Sequence, residues 1–385
     1  MINGAKLIIE KLNENGHLAY MVGGCVRDII MNNIPYDYDI TTSAKPEEVI
    51  EIFPKTIPTG LKHGTVSVMI DNNIYEVTTF RIDGIYTDFR RPKDVIFSDS
   101  LFEDVKRRDF TINSIAYNDK EGFIDFFNGK SDIENKIIRT VNDPYERFCE
   151  DALRILRGIR FCAKFNFKIE EKTFNAMKDL MHLVKNISKE RIYDELKKMF
   201  DYSPFNSVKL LKETGFFNTL NFEINENIEN LKKLNIKNFE TVISVLTYKK
   251  DSYEYILNTL KCSNKTKSNI RKILESFEFS LDDKLSVKRM LKSLRCENIM
   301  DEIFEVRKAL GFDNCKVISL YNEIIDNNEC YLLTSLKING NDLLKMNIKK
   351  ERISFILNYL LDKVIEDNSL NTKDNLIDIV IKKFF

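Results

Sequence analysis

Prolines and glycines divide this chain unevenly. All seven prolines lie at or before Pro204, and ten of the thirteen glycines lie at or before Gly158. These residues close turns and interrupt regular elements, so the early part must be cut into short pieces and the rest left in long ones. In the N-terminal third, β-type runs ("AYMVGG", "DYDIT", "HGTVSVMI", "IYEVTTF", "GFIDFF") alternate with helical ones ("CVRDIIMNN", "KPEEVIEIF", "RRDFTINSIAYN"). That alternation predicts an α/β domain with a mixed sheet. "TVSVMI" and "IYEVTTF" are joined by Asp71-Asn72-Asn73, which reads as a hairpin turn. From about Asn142 onward the pattern becomes helical, in "DPYERFCEDALRILRGIRFCAKF", "SKERIYDELKKMF", "SFILNYLLDKVIED" and "NLIDIVIKKFF". Most of these segments carry an apolar stripe with solvated Lys/Glu faces. At 385 residues the chain exceeds one ordinary core.

Composition excludes several classes. A 43% hydrophobic and 31% charged content supports buried cores, and no apolar run approaches the roughly 18 to 20 residues that span a bilayer. The opening "MINGAKLIIEKLNENGH" has an acid within its apolar stretch and reads as neither signal peptide nor anchor. Seven scattered cysteines without CxxC spacing read as free thiols of a reducing cytoplasm. Lys+Arg and Asp+Glu both number 59, so any nucleic-acid contact must come from local patches. The isolated His17, His63 and His182 argue against His-based metallohydrolase chemistry. "GKS" at Gly129 to Ser131 resembles the end of a P-loop, but Ile124 stands where that motif needs glycine.

"YDYDITT", residues 36 to 42, puts Asp37 and Asp39 in a run that otherwise reads as a strand, where Asp is disfavoured. Residues i and i+2 of a strand share a face, roughly 6.6 to 7 Å apart. The two carboxylates repel unless a cation sits between them; the alternative is a solvated turn. Just upstream, "MVGGCVRD" is an apolar strand ending in Gly23-Gly24 and entering a helix near Cys25. Such a turn lets backbone N–H groups approach an anion, and Arg27 would add a fork donor for phosphate. "RRDFTINSIAYN" puts Arg107, Arg108 and Asp109 at a helix start, which alone reads as a capped helix with a solvated arginine pair. Further on, the Asn-Asp-Pro of "NDPYER" signals a helix start, and Asp151 and Arg154 fall i,i+3 on one helix face. They form either an intrahelical ion pair or a base reader. Cytosine and adenine both offer an amino donor beside a ring-nitrogen acceptor, whereas uracil and guanine offer a carbonyl beside an N–H. A carboxylate and a guanidinium would therefore accept C and A and leave polar groups unpaired against U and G.

Together, "GGCVRDIIMNNIPYDYDITT", "YEVTTFRIDGIYTDFRRP", "KRRDFTINSIAYN", "EDALRILRGIRF" and "KERIYDELKKMF" resemble, in order, the motifs of class II CCA-adding tRNA nucleotidyltransferases and bacterial poly(A) polymerases. These belong to the polymerase β-like superfamily, here of the bacterial type without an HD domain; "LKINGNDLL" at 336 to 344 resembles their tail segment. The resemblance implies an α/β nucleotidyltransferase head with a mixed sheet (1–140), followed by an all-α neck that recognises the base (141–203), body (204–325) and tRNA-binding tail (326–385). It implies template-independent addition of CCA to tRNA 3′ ends from CTP and ATP with release of pyrophosphate. Two Mg²⁺ ions would be held by Asp37 and Asp39, with Glu76 as a candidate third carboxylate, although a strand Glu can equally be a surface residue. Gly24, Arg27, Arg108, Asp151, Arg154, Arg157 and Arg160 would contact the nucleotide. Each i+3 step turns about 60° around a helix, so Arg154, Arg157 and Arg160 cannot share one face, and Arg160 reads more readily as structural. "DGIYTDFRRP", from Asp83 to Pro92, resembles the family's mobile loop and is intact, which favours enzymes able to add A. The partner is tRNA, in the cytoplasm, with no membrane and no protein partner implied. The rivals are an A-adding enzyme or poly(A) polymerase and, from another class, a catalytically silent RNA-binding protein on the same fold.

Overall fold

The computed structural model describes residues 1–83 and 95–385. Two compact units emerge: Met1–Glu223 with Thr259–Lys261, and Ile224–Asn258 with Cys262–Phe385.

The first unit opens on helix α1 (Ile2–Glu14) and strand β1 (Ala19–Val22), followed by α2 (Gly24–Ile30), β2 (Asp39–Thr42) and α3 (Pro46–Ile52). Strands β3 (Thr56–Gly60), β4 (Thr65–Ile70) and β5 (Asn73–Thr79) come next, then the antiparallel pair β6 (Arg81–Asp83) and β7 (Val95–Phe97). Helix α4 (Leu101–Lys106), strands β8 (Ala116–Asn118) and β9 (Gly122–Ile124) and helix α5 (Gly129–Glu134) complete the sheet-bearing part. The seven-stranded sheet has the order β3-β4-β5-β2-β1-β8-β9. Only β2 and β5 pair in parallel, which makes the sheet mixed, as expected. Its apolar face (Met21, Ile40, Val66, Val68, Val77) is buried, as are Ile8 and Leu12 of α1. The β4–β5 turn is tighter than expected: Ile70 already pairs with Asn73. Asp71 and Asn72 take φ of 46° and 62°, the left-handed pair that a two-residue hairpin needs.

Two helix expectations require correction. "RRDFTINSIAYN" is not a helix start: Arg107 and Arg108 follow the last turn of α4, where cations suit the helix dipole. Ser100 caps the other end, accepting from the Glu103 N–H. The chain then makes a 3₁₀ turn at Thr111–Asn113 and enters β8. Ser114 Oγ donates to the Thr111 carbonyl at 2.8 Å, the kind of local bond by which short polar residues divert a backbone from helix.

The second correction lies at Asp151. Helix α6 (Pro144–Glu150), capped by Asp143 with Pro144 at its first position, ends there, and α7 (Leu153–Phe165) starts anew. Asp151 has φ −142° and ψ 101°, and its Oδ1 accepts from the Leu153 N–H at 3.0 Å. It therefore lies in the break between α6 and α7, accepting from the first N–H of α7, rather than inside one long helix. Strands β10 (Ile137–Ile138) and β11 (Lys168–Ile169), and helices α8 (Glu171–Leu180), α9 (Lys189–Tyr202) and α10 (Pro204–Glu213), complete this unit. Helix α7 packs on α9 and α10.

The second unit is helical, including Phe239–Thr247, Asn264–Glu275, Lys284–Leu294, Met300–Ala309 and Cys315–Asp326. Near its end, Lys350–Glu366 and Lys373–Phe384 enclose a core of Leu343, Ile356, Leu360, Val364, Leu376 and Val380. Among the described residues no helix is long and apolar enough to cross a membrane.

Candidate active site

Strand register brings the two glycines and the acids together. Val22, the last residue of β1, pairs with Asp39, the first of β2, so the Gly23-Gly24 turn opens beside the Asp39 carboxylate. Gly23 has φ of +81°, and a Cβ there would lie 3.0 Å from Arg108 Nη1 and 3.7 Å from Asp39 Oδ2. Glycine is needed at this position for both conformation and room. Arg108 reaches the spot from the end of α4. Asp104, fully buried, accepts from Arg107 Nη2 at 2.7 Å, from Arg108 Nη2 at 3.4 Å and from Thr41 Oγ1 at 3.0 Å. Burial pushes the Asp104 carboxyl up, but the charges of Arg107 and Arg108 and these hydrogen bonds hold it below its usual range. Arg108 Nε is buried and, among the described residues, finds no hydrogen-bond partner.

Asp39 itself is raised to about 6, chiefly by burial, against the Arg108 charge and with the charges of Asp37 and Glu76 adding to the rise. Asp37 is exposed and precedes the strand. Glu76 is exposed on β5, one position before the Val77 that pairs with Ile40, and so flanks Asp39. Among the described residues no three carboxylate, His or Cys side chains converge tightly enough to hold a metal ion. What the structure does assemble is an excess of negative charge around a half-buried acid, opposed by a single arginine.

Arg27, the expected fork donor for phosphate, bonds to protein partners. It is buried, with Nε and Nη2 donating to Asp28 at 2.9 and 2.7 Å and Nη1 donating to Asn113 at 2.6 Å. Its guanidinium lies 4.6 Å from the Phe165 ring centre and 5.5 Å from that of Phe161. Its three nitrogens bond Asp28 within α2 and Asn113 of the 3₁₀ turn, while its flat face packs on the α7 rings, so a direct phosphate contact would have to displace one of these bonds.

The helical acids and arginines form a linked set. Asp109 accepts from Asn113 Nδ2 at 3.0 Å and from Arg157 at 2.6 to 2.7 Å. Burial pushes its carboxyl up, but Arg157's charge and the bonds from Asn113 and Arg157 prevail and hold it well below the carboxylate range. Arg160 pairs with the buried Glu195 at 2.6 Å and covers the Phe161 ring at 4.3 Å. Asp151 and Arg154 do not pair with each other in the ion pairs seen. Arg154 Nη1 donates to Glu150 at 2.9 Å and Nη2 to the Arg107 carbonyl at 3.1 Å, while Asp151 accepts from Arg191 Nη2 at 2.8 Å and Nη1 at 3.4 Å. These bonds use two of the five N–H donors of Arg154 and leave acceptor capacity on Asp151. Glu150, Asn113, Asp104 and Arg191 were not singled out from the sequence. The acid beside Asp151 and the arginine in "KERIYDELKKMF" were visible, but nothing local said what they would meet. Most of the Asp83–Pro92 loop lies outside the described residues.

The chain matches the profile of the poly A polymerase head domain over residues 19–139, of the RNA- and SrmB-binding site of polymerase A over 166–228, and of tRNA nucleotidyltransferase domain 2 over 228–380. It is 38% identical to the CCA-adding enzyme of Staphylococcus haemolyticus, across 98% of this chain and 97% of that one. It is also 38% identical to that of Staphylococcus saprophyticus, across 90% and 89%. The structure superposes on the crystal structure of the Bacillus stearothermophilus CCA-adding enzyme in complex with CTP, with a TM-score of 0.83 at 29% identity over 99% of this chain and 97% of that one. Nucleotidyltransferases of this family generally use a divalent metal, and the uncompensated charge at Asp39 fits one. A match that runs nearly the full length of its relatives, over a head whose glycine turn, paired acids and arginine meet at one point, places this chain in the family of CCA-adding tRNA nucleotidyltransferases.

Proposed function

We propose a division of labour for the reaction this chain performs: template-independent addition of CCA to the 3′ end of tRNA from CTP and ATP, with pyrophosphate released. The observation that carries it is the register that seats Gly23-Gly24, Asp39 and Arg108 together. Asp37 and Asp39 would hold Mg²⁺, which when bound supplies charge stabilisation to the attacking and leaving oxygens of a nucleotidyl transfer. Glu76 adds negative charge behind Asp39. Gly24 opens the backbone to the triphosphate, and Arg108, whose Nε is buried and unmatched, donates to the nucleotide. Asp151 accepts from the amino group of C or A and Arg154 donates to the ring nitrogen, each held in place by its neighbour, Arg191 or Glu150. Arg157 anchors Asp109 and stays half-exposed beside the site; Arg27 and Arg160 contribute through packing. The four-part division at 140, 203 and 325 belongs to this proposal, as does a cytoplasmic setting, which the seven free cysteines support.

The test is product length on tRNA ending at its discriminator base, with CTP and ATP supplied separately and together. Two C additions with CTP alone and a completed CCA with both are expected. A-only products would indicate an A-adding enzyme, and runs of A a poly(A) polymerase.

A further inference from the structure

The geometry points to Tyr36 as a stacking platform for the base at the 3′ end of the RNA being extended, an inference that rests on the function just described. Ile34 and Tyr36 are 95% and 92% exposed, and no other large apolar side chain among the described residues exceeds the 74% of Phe385. Single exposed apolar residues are ordinary. Here, however, the two most exposed ones flank a buried Pro35, and Tyr38, 5% exposed, pins the chain on the other side. The backbone is thus anchored while the two side chains stand in solvent.

This segment runs directly into Asp37. Consecutive Cα atoms lie about 3.8 Å apart, so a nucleotide whose 3′-oxygen reacts at Asp37 and Asp39 brings its base within the sweep of the Tyr36 ring. The base at that end changes during the reaction: first the discriminator of any identity, then C, then C again. Hydrogen-bond reading would fail at one step or another, whereas stacking on an aromatic face accepts every base. Tyr36 therefore suits a single-stranded RNA end of variable sequence, separate from the Asp151–Arg154 pair that selects the incoming nucleotide.

The experiment uses the full chain with Tyr36→Ala and Tyr36→Phe, an acceptor-stem minihelix lacking CCA as primer, and KM measured separately for minihelix and CTP. Tyr36→Ala should raise the minihelix KM about five- to a hundredfold, leave the CTP KM unchanged, and abolish the quenching of a 2-aminopurine placed at the primer terminus. Tyr36→Phe should keep the quenching and stay within about twofold of wild type, since the ring face remains. An unchanged minihelix KM for Tyr36→Ala, an equal loss in both variants, or a parallel rise in the CTP KM would overturn the platform. Wild-type protein that adds no C to either minihelix or tRNA would overturn the function itself and the platform with it.

Discussion

Acids are treated in opposite ways at the sheet and at the helices behind it. Around Asp39 three carboxylates gather with one arginine opposing them, and the half-buried acid is pushed up to about 6. Toward the helices, Glu150, Asp151 and Glu195, and Asp109 in the segment between α4 and β8 that faces α7, each have an arginine partner, and Asp109 is held below its usual range. The first region is unbalanced electrostatically and gains from a bound cation. The second is balanced without one, so its arginines and acids hold one another in fixed positions, as the proposed base reader requires. With the roles proposed above, the contrast would separate catalysis from selection in space and in charge.

The largest test of that contrast is Asp39→Ala. If Asp39 holds the metal as proposed, losing this ligand, worth several kcal/mol, should cut incorporation of CTP and ATP alike by about a thousandfold or more, with the circular dichroism spectrum unchanged. Near-normal rates with either nucleotide would sink the assignment. Next comes Asp109→Ala, which strips a buried carboxylate from Arg157 and Asn113 and should lower unfolding stability by about 3 kcal/mol in urea titration. A stability matching wild type would mean that the helical ion pairs are not a framework.

Arg154→Ala removes a charge-assisted hydrogen bond worth roughly 1.5 to 3 kcal/mol. Rates with C and A should fall together, and their margin over U and G should shrink about tenfold to a hundredfold. Measuring all four nucleotides on tRNA ending before and within CCA checks this; an unchanged margin would reduce Arg154 to half of an ion pair with Glu150.

The smallest expected effect is on stability at Asp39. Because the folded-state value lies above the ordinary 3.8, the ionised acid weakens the fold, fully above pH 6 and decreasingly as pH falls toward 4. Inactive Asp39→Asn should therefore melt higher than wild type in metal-free buffer at pH 7.5. The difference should close between about pH 6 and pH 4, and a pH-independent difference would contradict the burial of this group.

The local signals in the sequence were read correctly where the physics is local. A continuous apolar run marks β1, alternating residues mark β4 and β5, the Asp-Asn turn closes the β4–β5 hairpin, and the glycine pair with its neighbouring acids lies within seventeen residues of chain, Gly23 to Asp39. What went unread depends on partners far along the chain. Arg27 looks like a surface donor in "GGCVRD", yet it is buried because Asn113, 86 residues later, and two phenylalanines of α7 receive it. Arg191 meets Asp151 across 40 residues. The break at Asp151 involves no Gly or Pro, and its one cue was the preference of Asp for helix caps. The supposed helix at Arg107 failed because strand pairing to β1 outweighs the modest propensity of "TINSIAYN".

That break would give the proposed base reader a mechanical property. Asp151 stands on the joint between α6 and α7, while Arg154 rides within α7 and is braced to Glu150 at the end of α6. The two groups of the proposed reader are therefore tied to different helices, Asp151 to α9 through Arg191 and Arg154 to α6 through Glu150. A small change in the angle between α6 and α7 alters the spacing of acceptor and donor without unwinding either one. A pair set along a single helix would have one spacing only, whereas the spacing of a pair set at a break depends on the angle at which the two helices meet.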